Sequence, residues 1–189
     1  MKKITFFSLL LTCTLVFSQN QKIQIPDSLH TQEIRITKSG SFGNAEILRI
    51  YFNSNSNLIL ELFEKDKDGK FELVKNKTLP REDNYDEKLW LKILMTDIHH
   101  IADYQGILYK FKKDKEIMFF KDKWTIFYNT THSVDGVGYE IEISGEEKYN
   151  SVRYSNPDSF LKTYPEIDEL KSVVDLLNLI RNEFNIWEE

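Results

Sequence analysis

Glu33-Ile34-Arg35-Ile36-Thr37, followed by Ala45-Glu46-Ile47-Leu48-Arg49-Ile50-Tyr51-Phe52-Asn53, is the stretch that decides the fold. Successive strand side chains point to opposite faces, so Ile34 and Ile36 share one face while Glu33, Arg35 and Thr37 share the other. The second segment repeats the pattern, with Leu48, Ile50 and Phe52 on one side and Ile47, Arg49 and Tyr51 on the other. Both read as half-buried strands, joined by the turn-like Ser39-Gly40-Ser41-Phe42-Gly43-Asn44. Leu58 to Glu64 gives a third strand and Phe71 to Lys75 a fourth, with Asp68-Gly69 between them as a hairpin signal. Short turns between strands require antiparallel pairing, because parallel neighbours need long crossovers.

Further along, Trp90, Leu91, Leu94, Met95, Ile98, Ile101 and Ala102 recur at helical spacing, behind Asn84 or Asp86 as a cap and ahead of Gly106. A second strand block is expected at Ile107 to Phe111, Glu116 to Phe120, Trp124 to Tyr128, Tyr139 to Ser144 and Tyr149 to Tyr154. A long helix then runs from about Glu166 to Phe184, with Leu170, Val173, Val174, Leu177, Ile180 and Phe184 on its main face. Leu176 and Leu179 lie off that face, and with Ile186 and Trp187 they suggest a second contact surface, within the domain or with a partner. The expectation is α+β: an antiparallel β-sheet of about 7–9 strands with two helices packed on it. Strands-then-helix occurs twice, over 32–104 and 107–185, which suggests an internal pseudo-repeat inside a single domain at 32–187.

The chain has 189 residues, 41% hydrophobic and 13% aromatic, a composition that folds and that excludes a disordered tail. Lys2 and Lys3 precede an uncharged apolar run from Ile4 to Phe17, too short for the roughly 20 residues of a spanning helix. This is the secretory signal pattern, with cleavage expected after Ser18, residues 19–31 as a polar lead-in, and a destination in the bacterial periplasm or outside the cell. Leu10-Leu11-Thr12-Cys13 departs from the lipoprotein pattern at Thr12, so lipidation at Cys13 is not expected. Cleavage removes that cysteine, and with it disulfides, thiolate metal sites and cysteine nucleophiles. It also removes two lysines, turning 25 basic residues into 23 against 30 acidic ones, a net −7 that opposes nucleic-acid binding.

No G-x-S-x-G elbow, H-E-x-x-H pair, phosphate loop or dinucleotide fingerprint is present, so no catalytic residue, metal ligand or cofactor is assigned. Glu64-Lys65-Asp66-Lys67-Asp68-Gly69 imitates the start of a calcium loop, but Lys75 stands where the bidentate carboxylate belongs, and a hairpin tip is expected. His99 and Asp103 are spaced for one metal contact on a helix, yet lack further ligands and are read as surface residues.

Two neighbouring segments carry the functional expectation. Lys110 to Lys123 interleaves lysines with Ile117, Met118, Phe119, Phe120 and Trp124, and within the hairpin expected at 116–128 Ile117/Phe119 and Met118/Phe120 are apolar on both faces. Such a strand is either central and covered on both sides, the expectation favoured by the rarity of large exposed patches, or a recognition patch. The loop 129–138 holds His132, Ser133 and Asp135, which tempts a hydrolase reading although adjacent loop residues seldom converge as a triad. The function expected is an exported, non-catalytic binding or scaffolding domain. Phe119, Lys121, Lys123, Trp124, His132 and Asp135 would meet a protein or glycan partner. A hydrolase or metal-assisted enzyme centred on the 129–138 loop is the alternative, and an envelope subunit using the last helix a third.

Overall fold

The computed structural model describes residues 25–40, 43–130, 136–145 and 148–187; residues 1–18, where a signal segment is expected, with Cys13, most of the expected lead-in, His132 and Asp135 lie outside them. The chain forms β1 (Glu33–Ser39), β2 (Ala45–Phe52), β3 (Leu58–Lys65), β4 (Phe71–Thr78) and α1 (Tyr85–Leu94). There follow β5 (Lys113–Phe120), β6 (Lys123–Asn129), β7 (Gly138–Ser144), β8 (Tyr149–Ser155), α2 (Pro157–Thr163) and α3 (Asp168–Phe184). Short 3-10 segments occupy Glu82–Asn84 and Tyr104–Phe111. The class is α+β. A 6-stranded antiparallel sheet runs in the order β4-β3-β2-β1-β7-β8, and β5 and β6 form a separate 2-stranded sheet.

Register follows the alternation in the sequence. Ile34 faces Ile50 and Ile143, Ile36 faces Leu48 and Ile141, and Leu60 faces Ile50 from the next strand. These side chains are buried together with Leu89 and Ile93 of α1 and Leu170, Val173, Leu177 and Ile180 of α3. Each is worth about 1.5–3 kcal/mol for leaving water, so a few of them rival the whole stability of a domain.

Asn185, in a left-handed conformation at φ 50°, ends α3 and lets the chain turn back. Trp187 then donates from Nε1 to Glu46 Oε2 at 2.8 Å and packs against Tyr139. Leu176 is fully buried, Leu179 packs against the core, and Ile186 and Trp187 are buried as well. The second contact surface of the last helix is thus used inside the domain, with α2 packed beside it.

Three expectations are corrected. The first helix does not run on to Ala102: it stops at Leu94, where the Thr96 hydroxyl donates to Ile93 O and Asp97 turns left-handed at φ 59°. An aspartate tolerates that conformation where most residues resist it. The apolar stripe therefore divides, Ile98 entering the core while Leu91 and Met95 face solvent. Ile107 to Phe111 belongs to a 3-10 segment instead of a strand, with Ile107 and Phe111 buried as its two inward residues. The two blocks also fold differently: the first gives a four-strand meander, whereas the second splits between the main sheet and the separate ribbon.

The second face of the sheet, expected to be the less buried one, holds Glu33, Arg35, Arg49 and Glu61 buried on it. Arg49 donates from Nε to Glu33 Oε1 at 2.8 Å and from Nη1 to Glu61 Oε2 at 2.8 Å. Arg35 also reaches Glu33, Tyr51 donates to Glu61 Oε1 at 3.2 Å, and the His30 N–H donates to Glu33 Oε2 at 2.9 Å. Burial alone would raise the Glu33 carboxyl, but the hydrogen bonds from Arg49 and the His30 N–H, with the charges of Arg49 and Arg35, outweigh it and hold it below its ordinary range. The His30 ring stacks flat on Tyr51 at 4.5 Å, so the chain just before β1 lies across this network.

Candidate functional site

Between Lys113 and Asn129 the chain leaves the main sheet as an arm of two strands, β5 and β6, that pair only with each other among the described residues. Lys121 and Asp122, at φ 51° and 61°, form the two-residue tip between the closing pair Phe120 and Lys123. Positive φ at both turn positions is the geometry whose twist matches the strands, although Asn-Gly would adopt it with less strain. At the base, the register slips between Lys113 and Glu116, and Asp114 turns left-handed at φ 49°. A slip of this kind bends a ribbon and re-aims it.

The base is fastened to the body. Phe111 is buried against Phe160 at 5.5 Å and Tyr164 at 5.0 Å, with Tyr104 closing the cluster. Lys113 donates to Thr163 O at 3.1 Å, pairs with Glu166 and sits 4.4 Å from the Tyr164 ring. One residue earlier, Lys112 caps the Tyr128 ring at 4.4 Å, and the Asn129 amide donates to Asp114 at 3.1 Å. Lys110 holds the 3-10 segment to the first turn of α3 through Asp168 at 2.8 Å and Glu169 at 2.7 Å. The Lys110 ammonium in turn pulls the Asp168 carboxyl down to about 2.

Beyond this base the arm is apolar and open to solvent. Ile117, Met118, Phe119, Phe120, Trp124, Ile126, Phe127 and Tyr128 are all exposed, Ile117 and Trp124 at 72%. The expectation of a centrally buried strand is corrected: no third strand or helix covers it among the described residues. The pairs Phe119–Trp124 at 5.4 Å and Phe120–Phe127 at 5.7 Å cross the ribbon in edge-on contact, one on each face. They stiffen it without burying it. Ordinary monomers do not display so many large side chains together unless the patch meets something.

Of the residues expected to bind, Phe119, Lys121, Lys123 and Trp124 all lie on this arm, Phe119 and Trp124 paired on one face, Lys121 in the tip and Lys123 beside it on the other face. His132 and Asp135 lie outside the described residues. The far end of their loop is clamped, because Asn156 Oδ1 accepts from the Val137 N–H at 2.8 Å and the Asn156 N–H returns a bond to Val137 O. Gly136 passes so close that a Cβ there would collide with the Asn156 amide. A cavity of about 380 Å³ opens beside it between Lys38, Tyr139, Asp158, Arg181 and Trp187, but the Asp158 carboxylate is engaged by two Arg181 bonds of 2.9 Å. A larger open cleft of about 700 Å³ lies at the other end of the domain, between Phe52, Arg81, Asp86 and Trp90. Asp86 there accepts from the Glu87 N–H and faces Arg81 at 3.7 Å.

His99 and Asp103 do not share a helix face. Asp103 accepts from the Gln105 and Arg153 N–H groups at 2.9 and 2.8 Å. His99 is half-buried, not a surface residue, and burial, then the nearby His100 and Lys148, lower its pKa. At the tip of the β3–β4 hairpin Asp66 likewise serves the turn, accepting from the Lys70 N–H at 2.7 Å, with Gly69 left-handed at φ 82°. No group of three or more His, Cys, Asp or Glu is placed to hold a metal among the described residues, and none of their helices is long and apolar enough to cross a membrane.

No protein-family model matches the chain, and no curated protein is similar to it.

Proposed function

We propose that this chain is an exported, non-catalytic binding domain whose β5–β6 arm is its contact surface. The observation that carries the reading is the contrast between a body whose exposed large apolar side chains, such as Leu91, Met95 and Tyr149, are scattered and an arm that gathers eight of them on its two faces. The buried cluster of Phe111, Phe160 and Tyr164, with Lys113 bonded to Thr163 and paired with Glu166, gives the arm a fixed root. Phe119 and Trp124 supply aromatic area for affinity, and Lys121 in the tip and Lys123 on the opposite face supply ammonium groups for orientation. Export follows from the pattern of residues 1–18 and places the surface in the periplasm or outside the cell.

Affinity capture from the native envelope tests this, comparing the tagged wild-type chain with Trp124→Lys. Loss of the captured species in the variant, with the body still folded by circular dichroism, is the expected result; equal capture by both refutes the arm as the surface. Mass spectrometry of the secreted chain tests export, and an N-terminus still at Met1 refutes it.

A further inference from the structure

The arm's partner is open in the reading above, and the inference here rests on that reading. We infer that it is a second copy of this chain, the two arms packing face to face about a two-fold axis. The register sets Ile117 opposite Ile126 and Phe119 opposite Trp124, which places those residues and Tyr128 on one face of the ribbon. That face has no charged side chain of its own between Glu116 and Asn129, and the Lys112 ammonium reaches it only over Tyr128 at the arm's base, whereas the opposite face interrupts its apolar residues with Glu116, Lys123 and Thr125. The uncharged face is also the more exposed one, at 72%, 60%, 72%, 59% and 43% for Ile117, Phe119, Trp124, Ile126 and Tyr128.

A two-fold contact asks a surface to complement itself, and a face without charge meets its own copy without like-charge repulsion. Large side chains bury about 200 Å² each, so these exposures amount to roughly 600 Å² per copy. Doubled, that is about 1,200 Å², past the ~1,000 Å² expected of a specific interface. The pairing also gives the ribbon what it lacks. Two strands alone are marginal in water, and packing one ribbon on another makes a sandwich with a shared apolar layer about 10 Å thick. Lipid is the poorer occupant. Among the described residues no strand pairs with the outer edges of β5 and β6, whose N–H and C=O groups hydrocarbon would leave unsatisfied and which face water in a dimer.

Sedimentation equilibrium of the purified chain tests this over roughly 1–100 µM, where a micromolar association is visible. The expected result is a dimer that Ile126→Lys weakens by about tenfold or more and that Thr125→Lys, on the opposite face, leaves within about threefold. Circular dichroism of each variant establishes that the body is folded. Where Ile126→Lys disturbs the arm itself, Ile126→Cys in a Cys13→Ser background provides the second measurement, and a short bis-maleimide is expected to link it as a dimer. A monomer throughout that range, or a dimer weakened equally by both lysine variants, overturns the inference. A monomer whose tryptophan fluorescence shifts to the blue with phosphatidylcholine vesicles overturns it in favour of lipid. A monomer that still loses its envelope partner on Trp124→Lys overturns the second copy alone and leaves the binding arm standing.

Discussion

Replacing Arg49 by methionine tests whether the sheet's second face depends on a closed charge network. Arg49 satisfies Glu33 through bonds of 2.8 and 3.2 Å and Glu61 through one of 2.8 Å. Methionine fills similar space but leaves two buried carboxylates, with Arg35 and Tyr51 as their remaining side-chain partners. Removing one member of a buried ion pair costs about 3–5 kcal/mol, because the other charge stays desolvated. For a chain of this size each kcal/mol lowers the melting temperature by about 2–4 °C, so a fall of roughly 6–20 °C is expected. Urea unfolding is the assay, with the midpoint reduced and the m-value unchanged. A loss below about 1 kcal/mol, the value of an exposed pair, refutes the reasoning.

The acid limb supplies an independent check. The Glu33 carboxyl lies below its ordinary value of 4.5 when folded. The unfolded chain therefore binds the proton more readily, and the contribution of Glu33 is present above that value and lost as pH falls through the lower folded one. Glu33→Gln is expected to reduce stability at neutral pH and to flatten its decline as the pH falls below about 4.5. An acid limb as steep as the wild type's counts against the assignment.

Three further outcomes follow from the arm and its surroundings. The double substitution Lys121→Asn, Asp122→Gly places the preferred residues at two left-handed positions and is expected to stabilise the ribbon by about 1 kcal/mol, read as slower amide exchange across 113–129; unchanged exchange refutes the turn geometry. Phe111→Ala empties the aromatic cluster at the arm's root and is expected to cost about 3–5 kcal/mol in urea unfolding, whereas a cost under about 1 kcal/mol means the root is not packed as described. Gly136→Ala drives a methyl into the Asn156 amide and is expected to cost about 1–3 kcal/mol, with Asn156→Ala in the same chain relieving the clash; no cost in the single variant shows that the loop does not pass there.

Much of the sheet was legible because strand periodicity is local. Ile34, Ile36, Leu48, Ile50, Ile141 and Ile143 announce their face by alternation, and the structure buries all of them. The helix over 90–102 misled because periodicity does not register a stop at Thr96-Asp97, where the hydroxyl and the left-handed turn do the ending. The Tyr104–Phe111 segment misled because Ile107 and Phe111 point inward at a spacing that a short apolar run leaves ambiguous. The Arg49 network went unread because Glu33, Arg35, Arg49 and Glu61 look like a solvated face until β1, β2 and β3 set them side by side.

The arm marks the boundary most sharply. Sequence alone determined that residues 116–128 form two strands with large apolar side chains on both faces, since that follows from short apolar runs on either side of the polar Lys121-Asp122-Lys123. Whether such a strand lies inside a sheet or stands in solvent was decided by tertiary structure. β1 takes β7 as its second neighbour, and the six strands of the main sheet close their order without β5 and β6. Burial is a property of what packs alongside, and those neighbours come from distant parts of the chain.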